Sequence, residues 1–261
     1  MMEPGEMEKS EDRTVELSGR AYEFGHMETF ISGATIRVRE FPELSATTDD
    51  FGDFRLEVPD RALVTPYIET GGGTVTRRPR DGEPYQEESH WNEIDLQTFA
   101  TCGEDLVNVN FQTPPDAEFE ALKALLQVPS GEDGRPEQSV IVTTASARNV
   151  RGVAYEIFWE NTPHGVAGAT AVSDPPLPDP VYFNEYVIPD SSRTETSIDG
   201  GIIWPLVEPG TYRITTTSAD GRFASFLATC APGRVVNANP PWGAYELLPG
   251  EEAFGASSPS G

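Results

Sequence analysis

The sequence predicts an all-β protein, two β-sandwich domains with an inserted segment that carries one helix. Three observations predict it. Between Ile31 and Pro59, Ala34, Ile36 and Val38 alternate with Thr35, Arg37 and Arg39, and Phe54, Leu56 and Val58 alternate with Asp53, Arg55 and Glu57. This is the period-two pattern of strands with one buried face. Between them, Thr48-Asp49-Asp50-Phe51-Gly52 carries turn chemistry, since Asp bonds its own backbone and glycine takes positive φ freely. The same order then recurs. His164 to Ala171 echoes Ile31 to Ile36, Ser197 to Gly201 stands where the first copy has Thr48 to Gly52, and Leu206 to Ile214 follows as a strand.

Taken in order, residues 1–13 are charged and lack apolar periodicity, so they read as a disordered acidic tail. Residues 14–70 form the first sandwich. Val15 to Ala21 is its first strand and Ala62 to Ile68 closes it, with Pro66 marking an edge or strand end. Residues 71–138 read as a linker and inserted strand-strand-helix segment. Gly71 to Gly73 and Arg77 to Glu88 supply an exposed loop, whose Arg77, Arg78 and Arg80 make the chain's basic cluster. Ile94 and Leu96, then Leu106 to Phe111, are strand signals. For the helix, Thr113 and Asp116 fit a capping box with Pro114 in the first turn, and Phe119, Leu122, Leu125 and Leu126 share a face. Residues 139–246 form the second sandwich, from Val140 to Thr144 through a strand at Val153 to Trp159 and a last strand at Phe223 to Cys230. Within it Asp174 to Asp190 is a Pro-rich excursion, too long for a hairpin turn and suited to forming a site. Residues 247–261 read as a second disordered tail.

A family resemblance rests on Gly33-Ala34-x-Ile36-x-Val38 followed by Thr48-Asp49-x-x-Gly52-x-Phe54-x-Leu56-x-Val58-Pro59. This order resembles the carboxypeptidase regulatory-like module, a prealbumin-like (transthyretin-like, Ig-like) β-sandwich, over about Val15 to Glu69. Pro209-Gly210-Thr211-Tyr212-Arg213-Ile214 resembles the start of a strand in the same module, so the module reads as duplicated. The resemblance implies a fold whose members serve as spacers, binding units or chaperone-like appendages. Fold alone does not choose among them. Two enzymatic relatives fail on their residues. Intradiol dioxygenases need a His-x-His pair that this chain lacks, and hydroxyisourate hydrolases end in Tyr-Arg-Gly-Ser where this chain ends Ser257-Ser258-Pro259-Ser260-Gly261.

A net charge of −25, from 43 acidic and 18 basic residues, argues against nucleic acid or an anionic membrane as partner. Only Lys9 and Lys123 are lysine. No stretch reaches the roughly 18 apolar residues of a membrane span, and the N-terminus lacks the apolar core of a signal peptide. The chain as written is therefore expected to be cytoplasmic, or secreted if the true start lies upstream. Cys102 and Cys230 allow one disulfide or two thiols, both at strand-like positions where cysteine is usually buried, and neither lies in a metal-ligand spacing.

Two function classes remain. The first is a non-catalytic binding or interaction protein without cofactor. Tyr182, Phe183 and Tyr186 in the excursion, with Asn237, Asn239 and Trp242 in the run Asn-Ala-Asn-Pro-Pro-Trp-Gly, offer stacking faces and amides for a small molecule, a sugar or a peptide. The alternative is a metal-dependent enzyme, hydrolase or oxygenase. In it His26, His90 and His164 hold a divalent transition metal with an open position, and a carboxylate such as Glu93 acts as base. Ser89 beside His90 and Thr162 near His164 are nucleophile and base neighbours in sequence, although adjacent strand residues face opposite ways. No nucleophile elbow, phosphate loop or H-E-x-x-H motif occurs.

Overall fold

The computed structural model describes residues 13–70, 74–79, 87–89, 93–150, 152–160 and 164–251. The first strands are β1 (Thr14–Glu23), β2 (His26–Ser32), β3 (Thr35–Val38), β4 (Ser45–Thr47), β5 (Asp53–Pro59), β6 (Leu63–Val64) and β7 (Pro66–Glu69). β8 (Thr74–Pro79), β9 (Glu87–Ser89), β10 (Glu93–Asp95), β11 (Phe99–Ala100) and β12 (Phe111–Thr113) lead to helix α1 (Asp116–Leu126). β13 (Ser139–Thr144) and helix α2 (Tyr155–Glu160) precede β14 (Thr170–Asp174), β15 (Val181–Phe183), β16 (Pro189–Asp190), β17 (Gly201–Val207), β18 (Gly210–Thr217), β19 (Phe226–Cys230) and β20 (Val235–Ala238). The fold is all-β, with sandwiched sheets as the alternation predicts. β5 shows the reason: Phe54, Leu56 and Val58 are buried while Arg55 and Glu57 face water, and the strand pairs with β1 from Thr14↔Pro59 to Arg20↔Asp53. Among the described residues no helix is long and apolar enough to cross a membrane.

The two stretches that echo each other in sequence make matching hydrogen bonds. Gly33 N–H donates to Thr48 O at 3.0 Å, and Gly168 N–H donates to Thr196 O at 3.0 Å. The Thr48 hydroxyl accepts from Ala34 N–H at 2.9 Å, and the Thr196 hydroxyl accepts from Ala169 N–H at 2.9 Å. Gly52 and Gly200, at φ 75° and 78°, each offer a carbonyl at 2.8 Å, to Ala21 N–H and Ala145 N–H respectively. The strand register agrees too, since Arg20↔Asp53 and Leu17↔Leu56 correspond to Thr144↔Gly201 and Ile141↔Trp204. Thus Thr196 to Gly200, rather than Ser197 to Gly201, is the counterpart of Thr48 to Gly52. The two adjacent glycines at 200 and 201 make the sequence pattern ambiguous by one residue, and the threonine hydroxyl resolves it.

The two halves share one sheet. Nine strands run in the order β16-β15-β17-β13-β20-β10-β7-β3-β4, and the junction is β20, which lies parallel to β13 on one side and to β10 on the other through Asp95↔Val236. The strands on the second-half side of this sheet are buried on both faces. Ile141, Ile202, Trp204 and Val236 pack with β14, β18 and β19, while Val140, Ile203 and Val235 pack into the core that holds Leu17, Ile36, Val58 and Phe119. Helix α1 contributes Phe119 to this same core, with Leu122 and Leu126 packed against it.

Several elements differ from the sequence expectation. β10 pairs with β7 and β12 with β1, so much of the expected insertion belongs to the first sandwich. Thr74–Pro79, including Arg77 and Arg78, is a strand paired with β2 instead of an exposed loop; Arg80 lies outside the described residues. Thr113 does not cap α1, because it sits buried in β12; Pro115 takes the N-cap without a side-chain bond, and Leu125 is exposed. Val153 to Trp159 is mostly helix α2, not strand. Phe158 and Tyr155, three residues apart, dock on Tyr22 and Phe30 of β1 and β2, and this tertiary contact overrides a short apolar run that periodicity cannot assign. Both cysteines are free thiols. Cys230 is buried, its thiol pushed up by burial to about 12, but Cys102 is exposed. The expected tails fall at 1–12 and 252–261, outside the described residues, except for Arg13 and 247–251.

Candidate functional site

Where β10 meets β20, a charged cluster fixes the joint. Asp95 is fully buried, and its carboxylate accepts from the Arg39 guanidinium, which also reaches Glu93 and lies 3.6 Å over the Tyr67 ring. Arg135 donates to Glu93 at 3.3 Å, and Arg234 of the second half comes within 3.7 Å of Asp95. Burial pushes the Asp95 carboxyl up, against the opposing pull of Arg39 and Arg234. A hydroxyl chain runs alongside, Glu40 to Thr65 to Thr98 to Thr229, with steps of 2.7, 2.8 and 2.7 Å. Buried charges persist only when paired and hydrogen-bonded, and here the pairing spans both halves. Glu93, the base of the expected enzyme, is engaged by two guanidinium groups.

The run Asn237 to Gly243 lies at the same joint. Asn237 and Asn239 are buried, and Asn239 Nδ2 donates to Pro240 O at 3.2 Å. Trp242 is half-buried: its indole N–H donates to Val107 O at 2.9 Å, and its ring meets Phe99 edge-on at 5.3 Å. Gly243 N–H donates to the Gln97 side chain at 2.7 Å. Asn237, Asn239 and Trp242 line a shallow crevice with Leu96, Gln97, Phe99 and Asn110, too tight to hold a water molecule. Beside it Thr98 N–H donates to Leu227 O at 2.8 Å, which ties Gln97 to Ala100 against Ser225 to Leu227. Trp242 and Gly243 thus bridge the joint, to Val107, Phe99 and Gln97, while Asn237 and Asn239 are buried on the second-half side of it.

The excursion residues separate. Tyr182 and Phe183 are adjacent in β15 and point to opposite faces, Tyr182 into the second core and Phe183 into the first, so they form no common stacking surface. The Tyr182 hydroxyl accepts from Ala171 N–H at 3.2 Å, and Trp204 Nε1 donates to Pro178 O at 3.0 Å, which folds the Pro-rich segment onto β14 and β17. Tyr186 stands apart, 75% exposed at the tip of the β15–β16 hairpin beside Val187 and Ile188. Val187 has φ 62°, a left-handed backbone that costs a β-branched residue roughly 1–3 kcal/mol. Val187 and Ile188 were not singled out from the sequence. The signal was there: three consecutive apolar residues between the turn formers Asn184 and Pro189.

His26 is exposed at the start of β2, and His90 lies outside the described residues. The His164 ring packs against Phe158 at 4.9 Å, its Nδ1 is buried without a hydrogen-bond partner, and burial lowers its pKa to about 4. Among the described residues no three of His, Cys, Asp and Glu come together as metal ligands. Ser89 lies in β9, while Thr162 is outside the described residues.

No family model matches the chain, and no curated protein matches it. Among solved structures, the Bacillus anthracis TIE protein is similar at 12% identity over 90% of this chain and 34% of that one, with a TM-score of 0.25. This chain thus spans about a third of that protein's length. The minor pilin GBS52 of Streptococcus agalactiae is similar at 10% identity over 92% and 99% of the two chains, with a TM-score of 0.26. A Streptococcal ancillary pilin is similar at 9% identity over 90% and 70%, with a TM-score of 0.25. Superpositions this loose carry no argument about residues or function.

Proposed function

We propose that the protein is a non-catalytic binding or interaction protein built from two carboxypeptidase regulatory-like sandwich modules. The observation that carries this reading is the division of labour among its side chains. Groups suited to chemistry are ion-paired or buried: Glu93 pairs with Arg39 and Arg135, His164 packs on Phe158, and Asn237 and Asn239 lie buried at the joint, Asn239 Oδ1 without a hydrogen-bond partner among the described residues. Meanwhile a rigid apolar tip, Tyr186 to Ile188, is held in water. Singly exposed apolar residues are ordinary, but a contiguous cluster such as Tyr186-Val187-Ile188 marks an interaction surface.

Elemental analysis of protein purified without a His tag or chelator tests the reading. The expected result is no stoichiometric transition metal and a melting temperature unmoved by added Zn, Fe, Mn or Cu. About one metal per chain, lost in His90→Ala and in His164→Ala, would overturn it in favour of a metal-dependent hydrolase or oxygenase.

A further inference from the structure

The β15–β16 hairpin is an addition that the duplicated frame does not require. In the first half the strand equivalent to β17 is β5, which pairs only with β1 among the described residues, and that half is complete without such a hairpin. In the second half β17 carries β15 and β16 on its outer edge. The tip is organised by Asn184. Its side-chain oxygen accepts from Tyr186 N–H at 2.9 Å and from Ile188 N–H at 3.2 Å. Its backbone N–H donates to Ile188 O at 2.8 Å, and its carbonyl accepts from Val187 N–H at 3.1 Å. Four bonds on one asparagine hold Tyr186, Val187 and Ile188 in solvent at 75%, 46% and 48% exposure. The pairs Val181↔Ile203 and Tyr182↔Ile202 place the tip at the same end of the sheet as the turn before β17, where Ile198 is 54% exposed. Glu185 stands exposed next to Tyr186 and Glu195 stands exposed three residues before Ile198, with Arg193 as the one cation in that segment, on a chain of net charge −25.

A convex, preorganised apolar tip loses little conformational freedom on binding, and an aromatic anchor at its centre is the residue type that dominates interface energies. Acidic neighbours steer a cationic partner toward it and repel an anionic one. The geometry points to a docking surface for a second protein whose contact face is apolar and bordered by Arg and Lys. This inference rests on reading the chain as a binding protein, and it names the partner's chemistry.

The test titrates the full chain by calorimetry with a synthetic amphipathic helix of Leu and Lys, and with its counterpart in which Gln replaces Lys, at low and high salt. The parent protein is expected to bind the Leu/Lys peptide and to discriminate against the Gln form. Tyr186→Ser combined with Ile188→Ser should weaken that binding by about tenfold or more, the loss typical of removing an interface anchor. Glu185→Gln with Glu195→Gln should weaken it less, and only at low salt. Circular dichroism and melting temperature should be unchanged in both variants, since all four side chains are exposed. The inference is overturned if the parent does not bind, if Tyr186→Ser/Ile188→Ser binds as well as the parent, or if the two peptides bind equally. Binding to phosphatidylcholine vesicles that is lost in the same variant would overturn it in favour of a lipid surface. A metal lost on His90→Ala would instead overturn the binding-protein reading and leave these titrations unaffected.

Discussion

The two halves of the molecule share a frame and differ at its edges. In both, a glycine-alanine pair is clamped by a threonine hydroxyl, and a glycine carbonyl closes the turn onto the first strand, with distances that agree within the quoted precision. At the edges they part. The first half covers the outside of β3 with β4, whereas in the second a single Tyr182 hydroxyl meets β14 and the chain goes on to build the β15–β16 hairpin. A frame held by its interior bonds leaves its edges free to differ.

The largest expected effect breaks the joint between the halves. Asp95→Ala removes the buried carboxylate between Arg39 and Arg234, leaving Arg39 only Glu93, and should cost about 3 kcal/mol. Scanning calorimetry should then show two transitions where the parent shows one. A single transition at an unshifted midpoint would mean that the shared sheet does not couple the halves. Next come the matching glycines. A Cβ at Gly52 would lie 2.2 Å from Ala21 O and at Gly200 2.5 Å from Ala145 O, both at positive φ. Gly52→Ala and Gly200→Ala should each cost about 3 kcal/mol in urea denaturation, Gly52→Ala the more. A neutral result at either would end the equivalence of the two turns.

His164 sharpens the comparison because the first half has no counterpart. Burial lowers its folded pKa to about 4, below the 6.5 of a free imidazole, so the unfolded chain takes up a proton that the folded one refuses. Stability from this group is complete above pH 6.5 and falls as the pH drops toward 4. Between pH 7 and pH 5 the loss is about 2 kcal/mol, and His164→Phe should remove it from the pH dependence of unfolding. Burial of Asp199, whose pKa is raised, acts in the opposite direction, so the difference between variant and parent is the quantity to read. The smallest effect belongs to the clamps. Thr48→Val and Thr196→Val each delete one buried hydroxyl acceptor and should cost about 1 kcal/mol apiece. Unequal losses would show that the edges feed back on the frame.

Much of the first sandwich was legible because its strands face water on one side. Phe54, Leu56 and Val58 alternate cleanly with Asp53, Arg55 and Glu57, and burial follows that alternation. The second half was harder to read. Val140-Ile141-Val142 and Ile202-Ile203-Trp204 are continuous apolar runs, since the first core covers one face while β14, β18 and β19 cover the other. Helix α2 was missed for a related reason: six residues are too few to show a period, and docking on Tyr22 and Phe30 decides their conformation. Of the residues expected to bind a ligand, Tyr186 is exposed, Trp242 is half-buried, and Tyr182, Phe183, Asn237 and Asn239 are buried. An aromatic or an amide looks the same in sequence whether it waits for a partner or already has one.

The sequence by itself determined the strands, their turns and the repeated frame, because these rest on local alternation and on residues such as Gly52 and Thr48 whose chemistry acts within a few positions. The tertiary structure alone decided that β20 would lie between β13 and β10, that Asp95 would be buried between two arginines, and that Tyr186 would be left outside. Those outcomes depend on which distant strands meet, and pairing between segments more than a hundred residues apart leaves no periodic trace in either one.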